Sequence, residues 1–201
     1  MEKFILRNIE FNKCSSCLVL SGLLWVISVV MVPIKSIPQK PFQAVSHFVE
    51  LCLSFYIFLG FIKFSILEKK DSFKKLVFAA MTLSVIAALI GITAILTESK
   101  EFFNYSSVLV AIEWLSLFYA FKSIDSNKIH FKKLSSIYLY LSLFSIPTSV
   151  ALLFGKERVT MMMPQILMKP FLILTLVWAG LIVYAWYLKI RVFKEISTHL
   201  Y

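Results

Sequence analysis

Two carboxylates sit where carboxylates are expensive. Glu50 and Glu113 each lie inside a long apolar run. An ionised side chain at bilayer depth costs from about 2.5 to above 10 kcal/mol unless it is paired, protonated or turned to a polar interior. Glu50 shares a helical face with His47 and Ser54, at spacings of three and four. Glu113 aligns with Ser106, Ser116 and Ala120 in the same way. A third polar stripe follows along Ser135, Tyr138, Ser142, Ser145 and Ser149, with Pro147 freeing a backbone carbonyl beside it. Together these faces could line a cavity in which Glu50 and Glu113 are proton or cation sites. His47, near the outer interface, would be a relay or a titrating partner. The serines alone read as helix-to-helix hydrogen bonds.

Other reactive residues point to less. Cys14-Ser-Ser-Cys17 is a CxxC at the mouth of the first apolar run. It has the spacing of a thiol pair but no second CxxC or nearby histidine to complete a zinc site. Cys52 is expected in the core. Met161, Met162, Met163 and Met168 could offer thioethers to Cu(I), but the set lacks the usual histidine or cysteine ligands and reads as interfacial packing. Neither GxGxxG, a P-loop nor HExxH occurs. No catalytic residue, metal site or cofactor is therefore expected, and the chain reads as a non-enzyme.

The elements that must position Glu50 and Glu113 follow from composition. The 201 residues are 59% hydrophobic and only 16% charged, with a mean hydropathy of +0.82. Soluble domains carry about 25% charged residues, so this balance excludes a water-soluble enzyme, a disordered tail and a secreted disulfide module. Six runs are long enough to cross a bilayer: 17–34, 44–67, 76–96, 104–121, 134–154 and 167–189. The expected fold is all-α, a polytopic transmembrane helical bundle forming one membrane domain over 1–201. It has about six spans, or four or five if span four or the 155–170 region is re-entrant.

Charge sets the orientation. The net charge is +10, and fifteen of the 21 lysines and arginines fall in the two tails and the second and fourth connections. The positive-inside rule then places both termini in the cytoplasm. Residues 1–13 put Phe4, Ile5 and Ile9 on one side of a short helix suited to lying on headgroups. The first run is followed by Pro33, Lys35 and Pro38, without a cleavage site, and is expected to be a retained span.

Two patterns concern packing. Ala80, Ser84, Ala87, Gly91 and Ala94 make a small-residue stripe that allows close approach of another helix, in the same chain or in a second subunit. Residues 50–58 (ELCLSFYIF) resemble 113–121 (EWLSLFYAF), and FKKL follows each, at 73–76 and 131–134. This reads either as a parallel repeat or as coincidence in a phenylalanine-rich chain.

The first functional reading is a non-catalytic sensor or interaction component. Lys69, Lys70, Lys74, Lys75, Lys128, Lys132 and Lys133 would contact lipid or a protein partner from the cytoplasm or envelope, and the chain would form a homo-oligomer. Nucleic acid is not needed to explain the basic charge. The lysine-rich, arginine-poor composition suggests an AT-rich gene, and with it a bacterial inner membrane and a defence or immunity role. The alternative is a small proton- or cation-coupled transporter or channel using Glu50 and Glu113. A second alternative is a membrane CxxC redox protein.

Overall fold

A computed structural model describes residues 2–31, 39–124, 129–154 and 165–199. Lys128, Met161, Met162, Met163 and the 155–164 part of the anticipated re-entrant piece lie outside them. Seven helices account for nearly all the described chain: α1 (Glu2–Asn8), α2 (Phe11–Met31), α3 (Gln39–Leu67), α4 (Asp71–Thr97), α5 (Lys100–Lys122), α6 (Ile129–Phe154) and α7 (Gln165–His199). No strand occurs among the described residues. Four stretches are long and apolar enough to cross a membrane, at Lys40–Leu67, Asp71–Thr97, Lys100–Lys122 and Leu176–Thr198. The protein is thus an all-helical integral membrane protein. The helix that carries the last of these stretches, α7, continues past the expected end at 189 to His199.

Helices dominate because a backbone in lipid must satisfy its own hydrogen bonds. Few glycines or prolines interrupt the apolar runs. Where the chain must turn sharply it uses the left-handed region without glycine. Lys69 (φ 51°) closes α3 with Lys70 N–H donating to Ser65 O at 2.9 Å and Lys69 N–H to Ile66 O at 3.3 Å. Glu98 (φ 56°) closes α4, where Ser99 N–H donates to Ala94 O at 3.2 Å. These are Schellman-type ends, which recover carbonyls the helix would otherwise leave unpaired. Ser99 then caps α5 by accepting from Phe102 N–H. Such short connections force antiparallel neighbours.

Each helix from α2 to α6 packs on the next in sequence, and α7 also packs on α2, which closes a ring of six. Its centre at the lysine-rich end is aromatic. Phe11, Phe61, Phe73, Phe121, Phe131 and Phe193, one from each helix of the ring, are all essentially inaccessible. Phe61 stacks on Phe193 at 4.5 Å between centroids and meets Phe121 edge-on at 5.2 Å. Phe64 stacks on Phe131 at 5.2 Å. Such pairs contribute about 0.5–1.5 kcal/mol each beyond burial. The two FKKL segments thereby gain a packing role: Phe73 and Phe131 enter this cluster while Lys75, Lys132 and Lys133 stay exposed.

The amino-terminal segment does not simply lie on headgroups. Ile5 and Ile9 are buried in the same core, and only Phe4 of the anticipated apolar face is exposed, at 63%. Lys63 Nζ, itself buried, donates to Ile9 O at 2.7 Å and sits 5.4 Å from the Phe11 ring centroid. Glu10 N–H donates to the Tyr56 hydroxyl at 3.3 Å, and Glu2 pairs with Lys74. At the opposite end Lys40 pairs with Glu98, joining α3 to the α4–α5 corner.

Two outcomes test this packing. A Cβ on Gly60 would meet Cys14 Sγ at 2.5 Å and Phe193 Cε1 at 2.9 Å, whereas one on Gly180 would meet nothing within 4 Å. Gly60→Ala should therefore lower stability by about 1–3 kcal/mol in detergent unfolding, as overpacking does. Gly180→Ala should be neutral or raise stability by about 0.5–1 kcal/mol. The second test uses pH. The hydrogen bond and charge of Lys74 hold the Glu2 carboxyl below its ordinary value of 4.5. The contact is thus at full strength above pH 4.5 and is lost as pH falls through the lowered value. Protection factors of the amides in residues 2–9, corrected for intrinsic exchange, should fall on acidification, and Glu2→Gln should remove that pH dependence.

Candidate functional site

The charged residues within the ring gather around Glu113. Glu113 is half-buried on α5, and the Ser84 hydroxyl on α4 is placed to donate to its carboxylate. Lys189 on α7 supplies the opposing charge. The Lys189 ammonium in turn lies 5.6 Å from the centroid of the Tyr138 ring on α6. Tyr138 is 1% exposed and stacks nearly parallel on Phe121 at 5.7 Å. Its hydroxyl reaches no partner at full hydrogen-bonding geometry, although Lys189 is close enough to act on it electrostatically. Four helices thus contribute one side chain each to a single charged cluster above the aromatic core.

Neighbouring polar contacts fix these helices in register. Ser106 Oγ donates to Ala87 O at 2.9 Å across α4 and α5, and Ser135 Oγ to Phe118 O at 3.3 Å across α5 and α6. Trp178 Nε1 donates to Ser145 Oγ at 3.2 Å across α6 and α7, and Trp178 also meets Trp114 at 5.9 Å. Ser142 is satisfied within its own helix, by Tyr138 O at 2.7 Å. An apolar groove of about 330 Å³ lies between α6 and α7. It shares Trp178 with this seam but includes none of the charged residues.

The other anticipated residues fall elsewhere. Glu50 pairs with His47 on its own helix, Oε2 to Nδ1 at 3.5 Å, and His47 is exposed. Their helix, α3, lies across α4 from α5 in the ring, so the two glutamates have separate surroundings. The small-residue stripe is used inside the chain. Ala80, Ala87 and Ala94 are buried, and Ala87, Gly91 and Ser84 meet α5, the first two through Ser106 and the last through Glu113. Of the expected basic contacts, Lys69, Lys75, Lys132 and Lys133 are exposed, Lys70 is half-buried and Lys74 is held by Glu2. Cys14 is buried with its sulfur 3.8 Å from Tyr56 O, Cys17 is half-buried, and both are free thiols. Cys52, expected in the core, is exposed. No cluster of three metal-ligating His, Cys, Asp or Glu side chains occurs among the described residues.

Lys189 lies near a span end, where positive charge is ordinary, but the sequence carries a sign of its position on the packing seam. Trp178, Ile182, Ala185, Lys189, Val192 and Ile196 follow steps of four and three, so Lys189 occupies a position on the packing seam. Lys63 extends a similar line through Tyr56 and Gly60. No protein-family profile, curated protein or solved structure matches the chain. The cluster is therefore interpreted from its own chemistry.

Removing one member of a fully buried charge pair leaves the other uncompensated, which costs about 3–5 kcal/mol, whereas replacing both can be neutral. Glu113 and Lys189 are half-buried, so Glu113→Gln and Lys189→Met should each destabilise the protein by less, about 1–2 kcal/mol. The double variant should recover most of that loss in the same detergent unfolding assay. Additive losses would show that the two charges do not interact.

Proposed function

We propose that the chain is a small proton-coupled carrier in which Glu113 exchanges the proton and Lys189 is its counter-charge. The observation that carries this reading is the convergence of Ser84, Glu113, Tyr138 and Lys189 from four helices. A carboxylate needed only for packing could be replaced by an apolar residue at no cost in solvation. One opposed by a lysine across the ring can instead change what holds α5 to α7. When Glu113 takes up a proton, its attraction to Lys189 disappears and the ammonium is left to seek another partner. When the proton leaves, the attraction returns. Proton occupancy then alternates between two electrostatic states of the same helices, which is the minimum a coupled carrier requires.

The topology in this proposal is six spans, α2 to α7, with both termini on the cytoplasmic side. The concentration of exposed lysines at one end of the ring supports that orientation under the positive-inside rule. The lysine-rich composition fits a bacterial inner membrane. A second reading, a non-catalytic sensor or interaction component of a defence system, is favoured by two observations. The aromatic cluster fills the ring at the basic end, and Lys132 and Lys133 stand exposed beside it for an acidic partner.

Proteoliposomes containing a pH-sensitive dye distinguish these readings. An imposed proton gradient should dissipate faster through the native protein than through empty vesicles, and Glu113→Gln should abolish the difference. Glu50→Gln should retain most of it, because that carboxylate has its own partner in His47. Absence of native flux with an intact fold would overturn the carrier reading in favour of the second. In that case crosslinking from Lys132 or Lys133 should capture a protein partner.

A further inference from the structure

We propose that the outer face of α1 and the α3–α4 turn together form a headgroup site for an anionic phospholipid. The turn carries Lys69 and Lys70, Lys75 follows on the first turns of α4, and α1 presents Lys3, Phe4 and Arg7. Lys70 is half-buried and the other five are exposed. The Glu2–Lys74 contact brings the two elements together, and the five cations outnumber the exposed carboxylates of the turn, Glu68 and Asp71. The surface is also built in advance. Ile5 and Ile9 are buried, Ile9 O accepts from Lys63, and Glu10 N–H is held by Tyr56, so α1 is fixed from its inner side while its outer side stays open.

Lipid fits this face better than an acidic protein because its charges adjoin apolar surface of the membrane-crossing helices. Leu67 is 43% exposed one turn before Lys70, and Phe78 is 48% exposed one turn after Lys75. Phe4, between Lys3 and Arg7, is 63% exposed. An amphiphile can place its phosphate among the cations and its chains along Leu67 and Phe78 at once. A soluble acidic surface would meet the charges and leave those side chains uncovered. Basic residues flanking an aromatic at the level where helices leave the bilayer are the pattern that anionic interfaces attract.

The test measures lipid retained by the whole protein after release from nanodiscs of phosphatidylcholine containing about one-third phosphatidylglycerol. Native mass spectrometry counts the bound lipids. Thermal unfolding, with and without the anionic lipid, reads the same interaction independently. Native protein should retain phosphatidylglycerol in preference to phosphatidylcholine, and less of it as salt rises. The triple variant Lys69→Gln/Lys70→Gln/Lys75→Gln should lose retention by about fivefold per lysine, the equivalent of about 1 kcal/mol for each basic residue near an anionic surface. Lys132→Gln/Lys133→Gln, at the same end but on α6, should keep it. Unchanged retention in the triple variant would overturn the proposal. Equal loss in both variants would also overturn it, because a diffuse field would then suffice. Displacement of the phospholipid by a soluble poly-glutamate peptide at equal charge concentration would reassign the face to a protein partner.

Discussion

A charge carried into a bilayer must be answered by the protein itself, because hydrocarbon supplies neither counter-ions nor hydrogen bonds. In this chain that constraint determines which helix faces which. Glu113 can remain on α5 only if that face is turned from lipid toward Ser84 and Lys189, and this requires α4 on one side and α7 across the ring. Lys189 in turn sits against the Tyr138 ring, which places α6 between them. The register is then set by neutral contacts that have little orienting power alone: Ser106 to Ala87, Ser135 to Phe118 and Trp178 to Ser145. Interhelical hydrogen bonds of that kind contribute only about 0.6–2 kcal/mol each. They refine an arrangement that the charges select.

The aromatic cluster answers a different question: why helices equally soluble in lipid associate at all. No hydrophobic gain separates a phenylalanine in acyl chains from one in the ring, so the preference must come from packing. Flat rings at 4.5–6 Å make dense contacts that mobile chains do not reproduce. Gly60 is part of the same logic. It lets Cys14 and Phe193 approach the α3 backbone, and so draws α2 and α7 close enough for Phe61 and Phe193 to stack. Meanwhile Leu20, Leu89, Leu143 and Leu176 remain exposed, as residues facing lipid should.

Much of this order can be read from the residues, and the part that cannot has a definite cause. Apolar run length identifies the helices, and the Ala80–Ala94 stripe marks the face of α4 that meets α5, because both are local properties with a period. Glu113 stands out through the cost of its burial. Its partner does not, because Lys189 sits ten residues from the described end of its helix, among Arg191 and Lys194, where positive charge is ordinary. Only its place on the Trp178–Ile196 seam separates it from those neighbours. Glu50 shows the converse. It looks equivalent to Glu113 by sequence, down to the following Phe-Tyr, yet its contact is with His47 one turn earlier. Which of two similar carboxylates meets a distant lysine depends on ring closure by α7, a long-range contact with no local signature.

Buried Lys63 and half-buried Lys189 differ in what answers their charge. Lys63 is held by a backbone carbonyl and an aromatic face. Neither changes charge at any accessible pH, so the contact is constant and serves to tie the amino-terminal segment to α3. Lys189 faces a carboxylate, the one kind of partner a single proton can switch off. On its other side the ammonium meets the aromatic face of Tyr138. In the proposed carrier, a proton arriving at Glu113 removes the charge that opposes Lys189, and the cycle would proceed by admitting a new partner to Lys189 or by moving α7 until the charge finds one.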